Sequence, residues 1–253
     1  MIVGLALNYP VDSIQRANIS AILSLKLDGR LVPHRVNRVN KLQAILGEGI
    51  GSLEVDLLFR FDGQRGHFEV GHDEIDASGV DLAAFLDIIK AHCLKKIWLD
   101  IKNVREDNID ALLAELLRLD SLYGIRQTAI IESNLVTEGL RKVGQAGFHS
   151  SYYLPTQKIK ALLSGNDRAL LQAAAAALAE QIASQGVAAV SFDLALYPFV
   201  KNYLETVIPA TVVYHTWDSM KLWELNAIRD LKERAYFNDS RVMTILYEYW
   251  GAD

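Results

Sequence analysis

The chain has 253 residues, a net charge of −5 and hydrophobic residues at 51% of its positions. This composition is typical of a globular protein with a large core, and its acidic balance gives no indication of a nucleic-acid partner. The single cysteine, Cys93, excludes an intrachain disulfide and a cysteine-rich zinc site. No apolar run reaches the roughly 18 residues of a membrane span, and the N-terminus lacks the basic lead of a secretory signal. We therefore expect a cytoplasmic protein.

Segments with strand or helix periodicity alternate along most of the chain. The predicted helices are 13–27, 41–46, 82–93, 109–119, 136–143, 167–184, 198–206 and 222–235. The predicted strands are 30–36, 52–59, 68–72, 96–102, 128–132, 147–153, 187–193, 210–217 and 242–249. Gly186 is expected to cap the Ala-rich helix that precedes it. Cys93, at the end of an apolar helix, is expected to be a buried small hydrophobe.

One pair of predicted strands differs from the rest because no helix fits between them. The turn at 61–64 is too short for a helix, so Phe68–His72 is expected to return as a hairpin partner of the second strand. Several of the eight other strands, such as 187–190, are apolar on both faces, as in parallel sheets covered by helices. We therefore predict an α/β fold with one domain over residues 1–253, a (β/α)8 TIM barrel with a β-hairpin insertion after strand 2.

Carboxylates lie toward the carboxyl ends of two of the predicted parallel strands, where such barrels build active sites. Glu54 and Asp56 are two residues apart on one strand and so point to the same side, as do Asp100 and Lys102 on the next. Three converging carboxylates repel one another unless a cation neutralises them. Oxygen ligands favour Mg²⁺ or Ca²⁺ over Zn²⁺. A single carboxylate here more often caps a helix, but the convergence of the set favours a functional site.

The side chains beside these carboxylates suit a phosphate diester. His34 and His72 form a natural acid–base pair because imidazole has a pKa near neutrality. Lys102 supplies a compact positive charge for a phosphate oxygen, and the amide of Asn37 can donate to phosphate. Arg35 has two equally supported interpretations, attraction of an anionic headgroup and a solvated rim.

The series His-x-Val-Asn, Glu-x-Asp, His-Asp and Asp-x-Lys resembles the glycerophosphodiester phosphodiesterase and phospholipase C-like superfamily of barrels. The resemblance rests mainly on residues 33–102. It implies a metal ion held by Glu54, Asp56 and an acidic residue on the next barrel strand, which here is Asp100. It also implies that His34 and His72 are the catalytic pair.

Some positions depart from the usual pattern of that superfamily. Asp100 replaces the usual glutamate, and Val36-Asn37 follows the first histidine, so the chain is more similar to the sphingomyelinase D and menorin-like branches. Arg35-Val36 stands in place of Arg-Gly. The sequence His-Thr-Trp-Asp at 215–218 matches only in part the Trp-Thr-Val-Asp motif found late in the chains of that superfamily. Strand eight ends in Tyr247-Glu248-Tyr249, where Thr-Asp or Thr-Asn is usual.

We therefore predict a metal-dependent phosphoric diester hydrolase, or a cyclising phosphodiesterase in which a substrate hydroxyl attacks phosphorus. The substrate would be a small glycerophosphodiester or a lysophospholipid-like diester. One alternative is a non-catalytic barrel that binds phosphate or a headgroup, which the Arg35-Val36 change and the missing motif at the end of strand eight both suggest. Another is an aldolase with a Schiff base on Lys102, which nearby carboxylates disfavour because they keep the amine charged.

Further polar and aromatic residues end the later strands, and for each a structural role is at least as well supported as a functional one. They are Glu132, Ser133, Asn134, Tyr153, Asp193, His215 and Trp217. The histidines His67, His92 and His149 lie outside the constellation, and we expect them to be structural.

Overall fold

The computed structural model describes the backbone of residues 3–61, 63, 65–134 and 138–251, and the side chains of this set from residue 11 onward. Its strands are β1 Leu31–Pro33, β2 Ser52–Phe61, β3 Gly66–Val70, β4 Lys96–Ile101, β5 Ala129–Ser133, β6 His149–Tyr153, β7 Ala189–Asp193, β8 Val213–Lys221 and β9 Val242–Glu248. Its α-helices are α1 Val3–Ser24, α2 Val39–Gly47, α3 Leu82–Ile89, α4 Ile109–Tyr123, α5 Gly139–Gln145, α6 Thr156–Gly165, α7 Arg168–Gln185, α8 Tyr197–Phe199 and α9 Ala227–Lys232. Short 3-10 turns at Leu194–Leu196 and Tyr236–Asn238 and a π-turn at Val200–Leu204 complete the helical segments.

The described strands form one mixed sheet in the order β1-β9-β8-β7-β6-β5-β4-β2-β3. Neighbours pair in parallel, except that β3 runs antiparallel to β2 at the sheet edge. The sheet curls so that the residues after β1 reach β2, where the Val36 N–H donates to the Glu54 carbonyl oxygen at 2.9 Å. This curled sheet with its flanking helices is consistent with the predicted TIM-like barrel.

The two faces of β2 show how the core positions the site. Leu53, Val55 and Leu57 are fully buried in the main hydrophobic cluster. Glu54 and Asp56 alternate with them and so face the other side, toward the barrel interior. Inside the barrel, a second apolar cluster of Val32, Trp98, Ile130 and Leu246 forms a floor beneath the polar residues.

The Ala-rich helix agrees with its sequence signals at both ends. The side chain of Asp167 accepts hydrogen bonds from the N–H groups of Ala169 and Leu170 at the start of α7. Gly186 follows its last residue with a φ of 59°, as expected for a glycine cap. The preceding helix α6 has no counterpart among the predicted elements.

Several predicted boundaries differ from the structure for local reasons. Helix α3 ends at Ile89, and Cys93 lies beyond it and is exposed, so the prediction of a buried cysteine is wrong. Strand β1 ends at Pro33, because Arg35 adopts a φ of 53°, which breaks the extended conformation. Strand β8 continues to Lys221, which shortens the helix predicted at 222–235.

Two predictions fall partly outside the described residues. These are the turn at 61–64, through residues 62 and 64, and the helix at 136–143, through residues 136 and 137. Across the helices that the structure describes, none combines the length and the apolar composition needed to cross a membrane.

Candidate active site

A cavity of about 330 Å³ opens at the carboxyl ends of the parallel strands. Six of the predicted site residues line it: His34, Arg35, Asp56, His72, Asp100 and Lys102. The other two, Glu54 and Asn37, contact residues of its wall. The strand order therefore brings together side chains that are up to 68 positions apart in the sequence.

The three predicted metal ligands form one cluster. Glu54, Asp56 and Asp100 each offer a carboxylate oxygen, and these atoms lie within 4.8 Å of one another. Asp56 and Asp100 are register partners on β2 and β4, and Glu54 lies two residues before Asp56 on the same face. Glu54 and Asp56 are each only 1% exposed. Such a set of hard oxygen donors is suited to an oxygen-loving divalent cation.

Lys102 is the cation that contacts this cluster. Its Nζ lies 2.7 Å from Asp56 Oδ1, and it also donates to a carboxylate oxygen of Asp100. Although burial opposes the charged form, Asp100 and Asp56 together raise the pKa of Lys102. Burial also opposes the charged form of Asp56 and so raises its pKa. Lys102 and the amide of Asn37 outweigh this effect and hold the pKa of Asp56 below its usual value.

Glu54 is not neutralised in the same way. Burial, followed by repulsion from Asp56 and Asp100, raises the pKa of Glu54 well above its usual value. Its Oε2 accepts the backbone N–H of Arg35 at 2.6 Å, whereas its buried Oε1 has no hydrogen-bond partner among the described residues. Leaving a buried polar atom unsatisfied costs about 1–3 kcal/mol. A divalent cation would satisfy this oxygen and offset the repulsion, so the residues fit a metal ion.

Asn37 and Arg35 contact the cluster from the segment after β1. The side chain of Asn37 donates to Asp56 Oδ2 at 2.7 Å and accepts the Asp56 N–H at 3.0 Å. These two bonds fix the orientation of Asp56. Arg35 binds Glu54 through its backbone, while its side chain is exposed at the rim. Phosphate binding by Asn37 and Arg35 stays a prediction.

The two histidines line the cavity from different elements. His34 follows β1 with its side chain 18% exposed, and its Nε2 lies 3.8 Å from Glu54 Oε2. Its Nδ1 lies 3.0 Å from Glu248 Oε1. His72 follows β3 with its side chain 42% exposed, and its Nδ1 lies 3.4 Å from Asp73 Oδ2. Both imidazoles are therefore accessible from the cavity that contains the carboxylates.

A glycine allows the loop that carries His72 to pass close to its neighbours. The Gly71 N–H donates to the Asp56 carbonyl oxygen at 3.0 Å, which ties the loop to β2. A Cβ on Gly71 would lie 2.7 Å from the Cα of Ala77 and 2.9 Å from the Asp76 carbonyl oxygen. Only a glycine fits this position without a shift of the backbone.

The later strand ends divide into two groups. Glu132, Asn134, Tyr153 and Trp217 line the cavity, and burial with repulsion from Asp100 raises the pKa of Glu132 well above its usual value. The remaining three do not line this cavity. Asp193 lines a neighbouring groove and pairs with Lys160. Ser133 and His215 are buried, and His215 Nε2 lies 2.9 Å from His149 Nε2.

Glu248 is the site residue that sequence reasoning missed. It was visible only as a departure from the usual ending of the last strand. Strand β9 pairs with β1 in the curled sheet, so a carboxylate at the end of the last strand lies next to the residue that follows the first. That pairing of the first and last strands was the signal that could have identified Glu248.

Similarity to known proteins is found at the level of structure. No protein-family model matches the chain, and no curated protein sequence matches it significantly. A glycerophosphodiester phosphodiesterase from Parabacteroides distasonis superposes with a TM-score of 0.57 at 10% identity, covering 87% of this chain and 91% of that chain. A protein from Silicibacter pomeroyi assigned to the same activity superposes with a TM-score of 0.55 at 16% identity, covering 87% and 90%. A third, from Agrobacterium tumefaciens, has a TM-score of 0.57 at 11% identity, covering 86% and 92%. At such identities the likeness shows a common fold, and at that level the predicted resemblance to glycerophosphodiester phosphodiesterases is confirmed.

Proposed function

We propose that this protein is a metal-dependent phosphoric diester hydrolase, with residues 1–253 forming one barrel domain and the β2–β3 hairpin as an insertion. The observation that carries the proposal is the convergence of three carboxylates, one ammonium group and two imidazoles on a single cavity. The common fold with structures assigned as glycerophosphodiester phosphodiesterases supports the same reaction class.

The acidic cluster would hold the metal ion. Glu54, Asp56 and Asp100 offer oxygen donors within reach of one ion, and their type favours Mg²⁺ or Ca²⁺. When bound, such an ion supplies positive charge to the non-bridging oxygens of a phosphate diester. Lys102 lies against two of the same carboxylates and adds a positive charge that can bind a phosphate oxygen.

The two histidines would move the protons of the reaction. One imidazole removes a proton from the attacking oxygen, and the other protonates the leaving oxygen as its bond to phosphorus breaks. The attacking oxygen belongs either to water, which gives a monoester and an alcohol, or to a neighbouring hydroxyl of the substrate, which gives a cyclic phosphate and an alcohol. His34 and His72 line the same cavity, as this division of roles requires.

The cavity suits a small diester group as substrate. Its volume of about 330 Å³ is at the lower end of ordinary ligand pockets. Its wall combines cationic and aromatic side chains, including Lys102, Tyr153 and Trp217. A glycerophosphodiester or the headgroup of a lysophospholipid-like diester fits this description.

The proposal is tested by ³¹P NMR of the purified protein with a panel of glycerophosphodiesters and lysophospholipids in Mg²⁺, Ca²⁺ or a chelator. We expect a new phosphorus resonance that depends on the metal, and its shift separates a cyclic phosphate from an open monoester. His34→Asn should slow the appearance of the new resonance by about 10²- to 10³-fold. Substrate binding without any new resonance, in a folded protein saturated with metal, would contradict the proposal and favour a non-catalytic headgroup-binding barrel.

A further inference from the structure

A carboxylate outside the acidic cluster contacts one of the two site histidines. We propose that Glu248 is a positioning residue that holds the ring of His34 in one tautomer, with Nε2 directed at the acidic cluster. This inference rests on the proposed function for its kinetic consequence, whereas the tautomer itself can be measured without any substrate.

The backbone places the two residues side by side. Strands β1 and β9 are parallel with Pro33 in register with Tyr247, and the His34 N–H donates to the Tyr247 carbonyl oxygen at 2.9 Å. The carbonyl oxygen of Glu248 in turn accepts the N–H of Leu222 at 3.2 Å. Main-chain bonds therefore hold the two backbones side by side, and the side chains that meet are 18% exposed for His34 and 38% exposed for Glu248.

The side-chain contact determines which ring nitrogen carries the proton. Glu248 Oε1 lies 3.0 Å from His34 Nδ1, and an ionised carboxylate can only accept a hydrogen bond. The proton of a neutral ring must therefore be on Nδ1, so that Nε2 keeps its lone pair. That Nε2 is the nitrogen that lies 3.8 Å from Glu54 Oε2. Partners of this kind fix the tautomer and the orientation of histidines at reactive centres.

The other histidine does not have an equivalent partner. His72 Nδ1 lies 3.4 Å from Asp73 Oδ2, and both side chains are more exposed than His34, at 42% and 52%. The oxygens of Asp73 also accept the backbone N–H groups of Ile75 and Asp76. Asp73 therefore organises its own loop, whereas the side chain of Glu248 lies 3.0 Å from the ring of His34.

The direct test is ¹⁵N NMR of the imidazole nitrogens, recorded at increasing pH until the ring shifts no longer change. We expect wild-type His34 to have its proton on Nδ1 and Glu248→Ala to show a large fraction with the proton on Nε2. Glu248→Gln should also raise the Nε2–H fraction, because its amide can donate to Nδ1, and it serves if the alanine variant does not fold. The two nitrogen signals of His34 are assigned by their absence from the spectrum of His34→Asn. Asp110→Ala, which removes an exposed carboxylate paired with Lys142, is the matched control and should leave the tautomer unchanged.

The kinetic readout separates positioning from mere stability. If the protein is a diesterase, Glu248→Ala should lower kcat about 10- to 100-fold, in the range seen for groups that orient reactive side chains, with KM little changed. Glu248→Asp should recover part of this loss. An unchanged His34 tautomer in both Glu248→Ala and Glu248→Gln would overturn the proposal, whereas absence of turnover in the wild type would overturn the proposed function and leave the tautomer result valid.

Discussion

The mouth of the barrel and the level beneath it both contain buried ionisable side chains, but in different electrostatic settings. At the mouth, Asp56 and Asp100 are in contact with the ammonium of Lys102 and border an open cavity. Beneath it, His149 and His215 contact each other at 2.9 Å. Burial lowers the pKa of both, and the positive charge of Lys96 lowers them further.

Perturbed ionisation alone therefore does not identify a reactive site. Burial changes the pKa at both levels, but only the mouth combines buried charges with an opposite charge and with access to solvent. His215 is 2% exposed and is not among the residues that line the cavity. Substitutions at the two levels should therefore affect different properties, turnover at the mouth and stability beneath it.

The largest expected effect is on turnover, at the acidic cluster. Asp56→Asn should reduce metal-dependent turnover by about 10³-fold or more, because it removes a charged ligand from a site that stabilises developing charge. His215→Gln is the matched change beneath the mouth, and it should leave kcat within about threefold. Activity measured at saturating metal checks both. Equal losses of turnover in Asp56→Asn and His215→Gln would show that the mouth is no more important for catalysis than the level beneath it.

The next effect concerns the acid–base pair. His34→Asn and His72→Asn should each lower kcat by about 10²- to 10³-fold, the range for loss of one general acid or base. The double variant should lose little more than the worse single variant, because the two groups act in one reaction. Steady-state kinetics on an active diester measures this. Full activity in either single variant would exclude that histidine from catalysis.

A smaller effect is expected from the loop that carries His72. Gly71→Ala places a Cβ 2.7 Å from the Cα of Ala77, so the backbone must shift. We expect a loss of about 1–3 kcal/mol in the free energy of unfolding, typical of overpacking, together with reduced kcat. Urea unfolding monitors the first, with Gly165→Ala as control because no heavy atom lies within 4 Å of a Cβ there. An unchanged stability would show that the loop accommodates the methyl group.

The smallest effect is the pH dependence of stability that comes from the level beneath the mouth. Burial lowers the pKa of His215 in the folded protein, so the unfolded state binds more protons below about pH 6.5. The free energy of unfolding should therefore fall with decreasing pH in this range. His215→Gln should reduce the slope between about pH 7 and pH 5. Parallel curves for the two proteins would show that His215 does not contribute.

The sequence predicted those site residues whose positions follow from the alternation of side chains along a strand. Glu54 and Asp56 occupy alternate positions on β2, and Asp100 near the end of β4 is followed two residues later by Lys102, so parity alone predicts one face for each pair. Their proximity in space required only that β2 and β4 be neighbours, as strands close in sequence often are.

Other features depended on contacts that local patterns do not encode. The contact between Glu248 and His34 requires that the first and last strands pair in a particular register. The engagement of Asn37 with Asp56 depends on the path of the chain after Arg35, whose positive φ has no sequence signal. Cys93 was misplaced because its helix ends four residues earlier, at Ile89.

Binding of a divalent ion by the acidic cluster at the mouth is tested most directly by calorimetric titration of Mg²⁺ or Ca²⁺ into chelator-treated protein. We predict one saturable ion per chain in the wild type, loss of that binding in Asp56→Asn, and its retention in His215→Gln. Binding that persists in Asp56→Asn, or a wild type that binds neither ion, would show that the cluster is not a metal site.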